Sequence, residues 1–421
     1  MRKKVLIVSA NPLDRNQNNG KTLLSFFTGY GREYLAQLYF YPTLPNTTEF
    51  DRFFRISDFD VLNRRLHRSK TVGGPVEPVE SALSVSTEET ARMSRIKKVA
   101  LTRLAREVLW HGAWRSEALD RWLDETAPDV IFFVAGDGLY SYDICEYARR
   151  RTGAKLVAYV TDDYVLPRPH ASPAQSLRRR LILRRLKRCV GTADLFLTIS
   201  DKMRETYRTL LGKDSLPAVN MADSLREAQP APKTRPGLLL VYLGGFQYHR
   251  DATLHRLAEA IARINGEGRT PLFLEIYSNA QPDDALLRQL EVPGASAFCG
   301  CLDQAGVKRK VNEADILVHV ESFSPESIAD VRLSLSTKIP EYLSTGKPLL
   351  AIGPAEVASM EYLRDKACCV TDEADLEPQL RRLAEDAALR SSLGAVGRSA
   401  YEKNHRRDVC QAALWDALDR L

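Results

Sequence analysis

Short, unbroken apolar runs spaced by helical stretches constrain this chain more than any other feature. Val5–Ser9, Leu38–Tyr41, Val130–Val134, Lys155–Val160, Leu238–Leu243, Leu272–Tyr277, Ile316–Val320 and Leu349–Ile352 lack the polar–apolar alternation of a half-buried strand. Such runs belong to strands covered on both faces, and strands that alternate with helices imply parallel sheets between helical layers. The intervening patterns are helical: Lys21 to about Leu35, residues 91–126, Asp201 to about Leu211 and residues 251–265. In the second of these, Ile96, Leu101, Leu104, Val108 and Leu109 form one apolar stripe. The fold class is α/β. At 421 residues the chain exceeds one typical core, so more than one domain is expected.

The strand–helix pattern runs twice. Gly191–Ser200 reads as the last strand of the first half, with Ser200 as a helix cap, and Leu216–Asp223 follows its helix. Residues 224–236 carry Pro230, Pro232 and Pro236 and read as a linker. The expected domains are therefore 1–225 and 226–404, with a terminal helix in 405–421. Residues 42–90 hold Pro42, Pro45, Gly73, Gly74, Pro75 and Pro78 and read as an irregular insert.

Charge separates the halves. The net charge is +6, but residues 1–225 hold 36 Lys+Arg against 26 Asp+Glu, giving +10, and the remainder holds 24 against 28, giving −4. Arg178–Arg188 has seven cations in eleven positions, interleaved with Leu181, Ile182, Leu183 and Leu186. It reads as an amphipathic basic helix, suited to solvent or to anionic lipid headgroups. No nucleic-acid motif accompanies it, so nucleic acid is not an expected partner. No apolar run approaches 18 residues, and the N-terminal apolar run fits a first strand rather than a signal peptide. Seven scattered cysteines without zinc-finger spacing read as reduced thiols. Together these place the protein in the cytoplasm, with peripheral contact to the inner face of the plasma membrane as the further option.

Several loops can carry chemistry. Ser336–Pro354 reads as helix, glycine stop and buried strand: Ser336 or Thr337 caps, Pro340 sits in the first turn, Gly346 ends the helix and Pro348 bars its continuation. The helix start beside Lys338 suits a diphosphate, and Glu341 one turn on suits a ribose diol. Gly20-Lys21-Thr22 imitates a phosphate loop, but Arg15 stands where the earlier glycine is required, so an ATPase is excluded. Asp137 lies in the turn after Val130–Val134, where open α/β sheets place ligands. Asp162 and Asp163 follow Lys155–Val160 as an adjacent pair.

The run Lys338-x-x-Glu341-Tyr342-x-x-x-Gly346-Lys347-Pro348 resembles the donor-sugar motif of GT-B glycosyltransferases, especially those of family 4. Gly191–Ser200 and Asn220-x-x-Asp223 resemble landmarks of the same fold. The resemblance implies two Rossmann-like domains with parallel sheets facing a central cleft. The first would bind the acceptor and the second a nucleotide sugar, and the last helix would cross back to the first. It implies transfer of a sugar from a nucleoside-diphosphate donor to a saccharide or lipid-linked acceptor, in polysaccharide or glycolipid assembly. No metal and no cofactor are implied, the nucleotide sugar being a co-substrate. The donor residues carried over are Gly244, Gly245, Arg250, Thr337, Lys338 and Glu341, with Gly20 in a loop facing the cleft.

Two departures qualify it. In the run Gly244–Arg250 the family's arginine is replaced by Gly245, and Arg250 stands at the family's lysine. Eight positions before Glu341, where the family has a second glutamate, stands Leu333; Glu321 and Glu326 are out of register. Asp137, Asp162 and Asp163 are equivalent candidates for a catalytic base. An epimerase of the same fold, acting on the donor alone, and a non-catalytic binding protein are the alternatives.

Overall fold

A computed structural model describes residues 2–15, 18–67, 71–79, 100–227, 236–268 and 270–421. The expected helical residues 91–99, most of the 224–236 linker and part of the 42–90 insert lie outside them. The chain divides into two compact units, Met1–Ala218 with Cys410–Leu421, and Val219–Val409.

In the first unit the strands are β1 (Val5–Ser9), β2 (Leu35–Tyr39), β3 (Arg52–Arg55), β4 (Gly74–Val76), β5 (Val130–Val134), β6 (Lys155–Val160), β7 (Leu195–Thr198) and β8 (Leu216–Pro217). They form one sheet in the order β4-β3-β2-β1-β5-β6-β7-β8. Every pairing is parallel except β3 with β4. Two expectations need correction. The first helix spans Asn18–Phe27 and stops well before Leu35, because Gly29 and Gly31 take positive φ and end it. The insert is not wholly irregular: Phe53 and Phe54 are buried in β3, and Asp58–His67 is a helix. Only two apolar residues stand between Arg52 and Arg55, too few to signal a strand. Phe26, Phe27, Phe132 and Tyr159 pack edge-on or tilted beneath the sheet. The terminal helix joins this core. Trp415 Nε1 donates to the Phe26 carbonyl at 2.8 Å, and Gln411 Nε2 donates to those of Ser25 and Thr28 at 2.8 and 3.0 Å.

The second unit holds β9 (Leu238–Leu243), β10 (Leu272–Tyr277), β11 (Ser296–Phe298), β12 (Ile316–Val320), β13 (Leu349–Ile352) and β14 (Cys368–Val370) in the order β11-β10-β9-β12-β13-β14, all parallel. Its core is aliphatic, with Leu240, Ile276, Val318 and Leu350 meeting Leu257 and Ile261 of the Arg250–Asn265 helix. Each such side chain contributes about 1.5–3 kcal/mol by leaving water.

Both sheets reverse their direction of growth once. The first starts at β1, grows through β2 and β3, then restarts on the other side at β5. The second starts at β9, grows through β10 and β11, then restarts at β12. Ligands of open α/β sheets bind beyond the carboxyl ends of strands at such reversals. Among the described residues no helix is long and apolar enough to cross a membrane.

Candidate functional site

At the reversal of the second sheet, the chain leaves β9 through Gly244 and Gly245. A Cβ on Gly244 would lie 2.4 Å from the Tyr242 hydroxyl, which itself donates to the Gly245 carbonyl at 2.7 Å. Gly244 is therefore required by the turn folded over Tyr242. Tyr248 and His249 then take left-handed φ of 62° and 55°, a conformation that costs a non-glycine residue about 1 kcal/mol or more. They deliver the chain into the Arg250–Asn265 helix.

Arg250, the helix's first residue, points at the end of β12. Its Nε and Nη2 donate to the same oxygen, Glu321 Oε2, at 3.1 and 2.9 Å. The Arg250 side chain is 20 % exposed and that of Glu321 only 3 %. Among the described residues the guanidinium has no other hydrogen-bond partner, so one edge is held and the remaining N–H groups are left for a ligand. Glu321 Oε1 lies 3.3 Å from His319 Nε2, and the Glu321 carbonyl accepts from Thr253 Oγ1 at 3.0 Å. Burial opposes the Glu321 charge, but His319 and Arg250 outweigh it and hold the carboxyl below its usual range. A Cβ on Gly353, just past β13, would lie 2.8 Å from that of Glu321, so the three strand ends close tightly here.

The Lys338–Thr345 helix is bolted to the same strand end. Tyr342 is buried; its hydroxyl donates to the Leu243 carbonyl and accepts from the Leu243 N–H, each at 3.1 Å. Of the two expected caps, Thr337 makes no capping hydrogen bond, and Ser336 Oγ accepts from the Lys338 N–H at 3.4 Å. Lys338 Nζ lies 3.4 Å from Glu341 Oε2. Upstream, Asn220 Nδ2 donates to the Leu335 carbonyl at 3.0 Å, fixing the approach to this helix. Glu321 is out of register with the family's motif, and His319 lies in no motif. Their signal was position: they flank the end of a buried strand beside the sheet's reversal.

At the reversal of the first sheet, the loop after β1 runs against the Asn18–Phe27 helix. Gly20 lies inside that helix, and a Cβ there would stand 2.4 Å from the Pro12 carbonyl oxygen and 2.8 Å from the Asp14 nitrogen. Asp137, just past β5, is 38 % exposed at its side chain. Arg178 Nη2 lies 3.2 Å from its carboxylate and Arg103 Nη1 3.7 Å. Buried Arg178 also faces Glu107 Oε1 at 3.6 Å, and Glu107 caps the Leu139–Thr152 helix through the N–H groups of Leu139 and Tyr140. Burial pushes the Glu107 carboxyl up.

Asp162 and Asp163 follow β6 but differ. Asp162 receives the hydroxyls of Thr161 and Tyr164, each at 3.3 Å. The Asp163 side chain is 1 % exposed and accepts from the Val165 and Leu166 N–H groups, Arg168 Nη1 and the Tyr207 hydroxyl at 2.8–3.4 Å. It organises its own loop. Among the described residues no group of three or more His, Cys, Asp or Glu is placed to hold a metal ion.

The basic helix spans Pro173–Thr192, with Ser172 and Gln175 forming a capping box. It is not one cationic face. Arg178 turns inward, Arg179 donates to the Leu166 carbonyl at 3.1 Å, and Arg185 pairs with Asp143 at 2.7 Å. Arg180, Arg184, Lys187 and Arg188 remain exposed.

No protein-family model matches the chain, and no curated protein matches its sequence. Solved structures do match its fold. The α,α-trehalose 6-phosphate synthase of Burkholderia multivorans aligns with a TM-score of 0.61 at 11% identity, covering 100% of this chain and 97% of its own. A glycosyltransferase from Rickettsia africae aligns at 0.59 and 10% identity, covering 98% and 97%. The E. coli trehalose-6-phosphate structure bound with UDP-2-fluoro glucose aligns at 0.60 and 14% identity, covering 99% of each chain. The likeness is one of fold: this chain has the GT-B fold along its whole length.

Proposed function

We propose that the protein is a glycosyltransferase that takes its sugar from a nucleoside-diphosphate donor bound by the second unit. The observation that carries this reading is Arg250, held along one edge by a buried carboxylate at the sheet's reversal, with its other N–H groups unpartnered among the described residues. A guanidinium presented in this way matches phosphate oxygens. In the reaction the bond between the sugar's anomeric carbon and the diphosphate breaks, and a bond from the acceptor oxygen to that carbon forms. Negative charge grows on the departing diphosphate, where Arg250 and Lys338 stabilise it. Glu341 receives the ribose hydroxyls. The acceptor's proton passes to a carboxylate of the first unit; Asp137 and Asp162 suit this better than Asp163, whose oxygens are committed to its loop. The acceptor belongs to polysaccharide or glycolipid assembly, in keeping with the +10 first half.

The test is thermal denaturation of the full chain with UDP, GDP or ADP, in EDTA. A ligand at about 100 times its Kd should add about 2.7 kcal/mol to stability. Glu341→Ala should weaken that ligand by about 1.5–3 kcal/mol, as for a hydrogen bond to a charged group. If no nucleoside diphosphate stabilises the wild type, the reading fails. If donor alone is epimerised, the enzyme acts on the donor and no acceptor is needed.

A further inference from the structure

A second cationic feature lies at the other end of the first unit's sheet. The Leu139–Thr152 helix, the Pro173–Thr192 helix and the start of β6 line an open cavity of about 440 Å³. Its apolar floor includes Tyr142, Cys145 and Leu156, all buried. Five cations line it: Arg149, Arg150, Lys155, Arg185 and Arg188.

Only two carboxylates line it with them, and each is already shared. Glu146 receives Arg150 and, at 2.8 Å, Arg188. Asp194 receives Lys155 at 3.1 Å, Arg149 at 3.6 Å and the Leu156 N–H at 2.8 Å. With Asp143 behind Arg185, five positive charges face three negative ones. Arginines in the last turn of the Leu139–Thr152 helix complement its carbonyl end, which accounts for Arg149 and Arg150. It does not account for Lys155, Arg185 and Arg188 arriving from two other elements. The carboxylates hold the cations beside the cavity, and the surplus positive charge raises the local concentration of anions there. The size suits a small organic phosphate, and guanidinium forks match phosphate oxygens.

We propose that this cavity binds a phosphate-bearing anion, as an accessory site apart from the reacting groups. Lys155 opens β6 and Asp162 follows its end, so the cavity and the proposed chemistry are separated by a strand of about 20 Å. The phosphate can come from a free metabolite or from a lipid headgroup; the exposed Arg180, Arg184 and Lys187 continue the same helix.

The experiment uses the full chain carrying Arg250→Gln, Glu321→Gln and Lys338→Gln, which silences the proposed donor site without leaving a buried charge unpaired. Inorganic pyrophosphate is titrated calorimetrically, and co-sedimentation is measured with vesicles of phosphatidylcholine, with and without phosphatidic acid. Saturable pyrophosphate binding that weakens about tenfold or more in Arg185→Gln/Arg188→Gln supports the site, since two charge-assisted bonds are lost. Capture by phosphatidic acid alone, lost in the same variant, supports it with a headgroup as the source. Arg150→Gln, altered at a 70 % exposed side chain, repeats the test should the double variant misfold. Arg180→Gln/Arg184→Gln removes two charges outside the cavity and should leave pyrophosphate binding unchanged. Equal loss in that control, no effect of the cavity changes, or no binding of either probe would overturn the proposal.

Discussion

The two sheet reversals carry the same pair of groups with the roles exchanged. In the first unit a carboxylate, Asp137, stands toward solvent, with one buried arginine, Arg178, and one exposed, Arg103, beside it. In the second an arginine, Arg250, stands forward and a nearly sealed carboxylate holds it. Position in the fold is shared; polarity is not. A forward carboxylate can take a proton, and a forward guanidinium can meet a phosphate. The depth of the supporting group differs as well. Glu321 is enclosed and, among the described residues, its carboxylate meets Arg250 and His319, whereas Arg178 divides its charge between Asp137 and Glu107.

That difference predicts unequal damage. Arg250→Ala should cost the second unit about 3–5 kcal/mol, because it leaves Glu321 charged and buried without its main partner. Urea unfolding followed by hydrogen exchange in β9 and β12 measures it. Arg250→Ala with Glu321→Leu should recover part of the loss, and no recovery would mean that the pair is not the cause.

Acid should separate the units next. Burial lowers the pKa of His405 to about 4, with its Nδ1–H donated to the Asn220 carbonyl and its Nε2 accepting from Tyr362, each at 2.7 Å. The unfolded imidazole titrates near 6.5. A depressed histidine pKa means that the native state binds fewer protons. Its stability is full above about pH 6.5 and lost as the pH falls toward 4, by about 3 kcal/mol. Glu321, also depressed, adds loss of the same sign below the ordinary glutamate range. Glu107 is raised, so its contribution is present at low pH and lost as the pH rises through its folded value. All four tryptophans, Trp110, Trp114, Trp122 and Trp415, lie in the first unit, so their fluorescence reports that unit alone. Between pH 6.5 and 4 the second unit should lose exchange protection before this fluorescence changes. Simultaneous loss would show that His405 does not set the acid stability of the second unit.

The smallest effect is expected at the first reversal. Arg178→Gln should cost about 1–2 kcal/mol, since Asp137 keeps Arg103 and solvent while Glu107 keeps its two backbone donors. Tryptophan-detected urea unfolding gives the value; a loss as large as that of Arg250→Ala would remove the contrast.

The fold was legible because fully covered strands leave uninterrupted apolar runs, as in Val130–Val134 and Leu238–Leu243. β3 was missed because two buried phenylalanines between arginines carry no such run. At the candidate site, local spacing pointed to Lys338 and Glu341, and the resemblance to the family's pattern after β9 pointed to Arg250. What Arg250 touches was not visible: its partner lies at the end of another strand, and no local pattern joins positions 250 and 321. Asp162 and Asp163 looked equivalent as neighbours in sequence. The Val165 and Leu166 N–H groups that turn back onto Asp163 distinguish them only once the loop is folded. The basic helix misled in the same way, since composition does not tell which arginines turn inward.

The contacts around His405 do more than bury a histidine. Ala222 N–H donates to the His405 carbonyl at 3.0 Å, the Tyr401 hydroxyl donates to the Ala222 carbonyl at 3.0 Å, and Ala222 and Arg406 form a parallel bridge. The stretch where the chain enters the second unit is thus zipped to the stretch where it leaves. Topologically the second unit is an insertion between Ala218 and Cys410 whose two ends meet. Its loop is closed by its own hydrogen bonds, so little closure entropy falls on the first unit. An insert of this kind is a portable cassette. It can be excised, exchanged for the second unit of another GT-B protein, or used to move the chain termini by circular permutation, with the His405 clasp as the part to be kept intact.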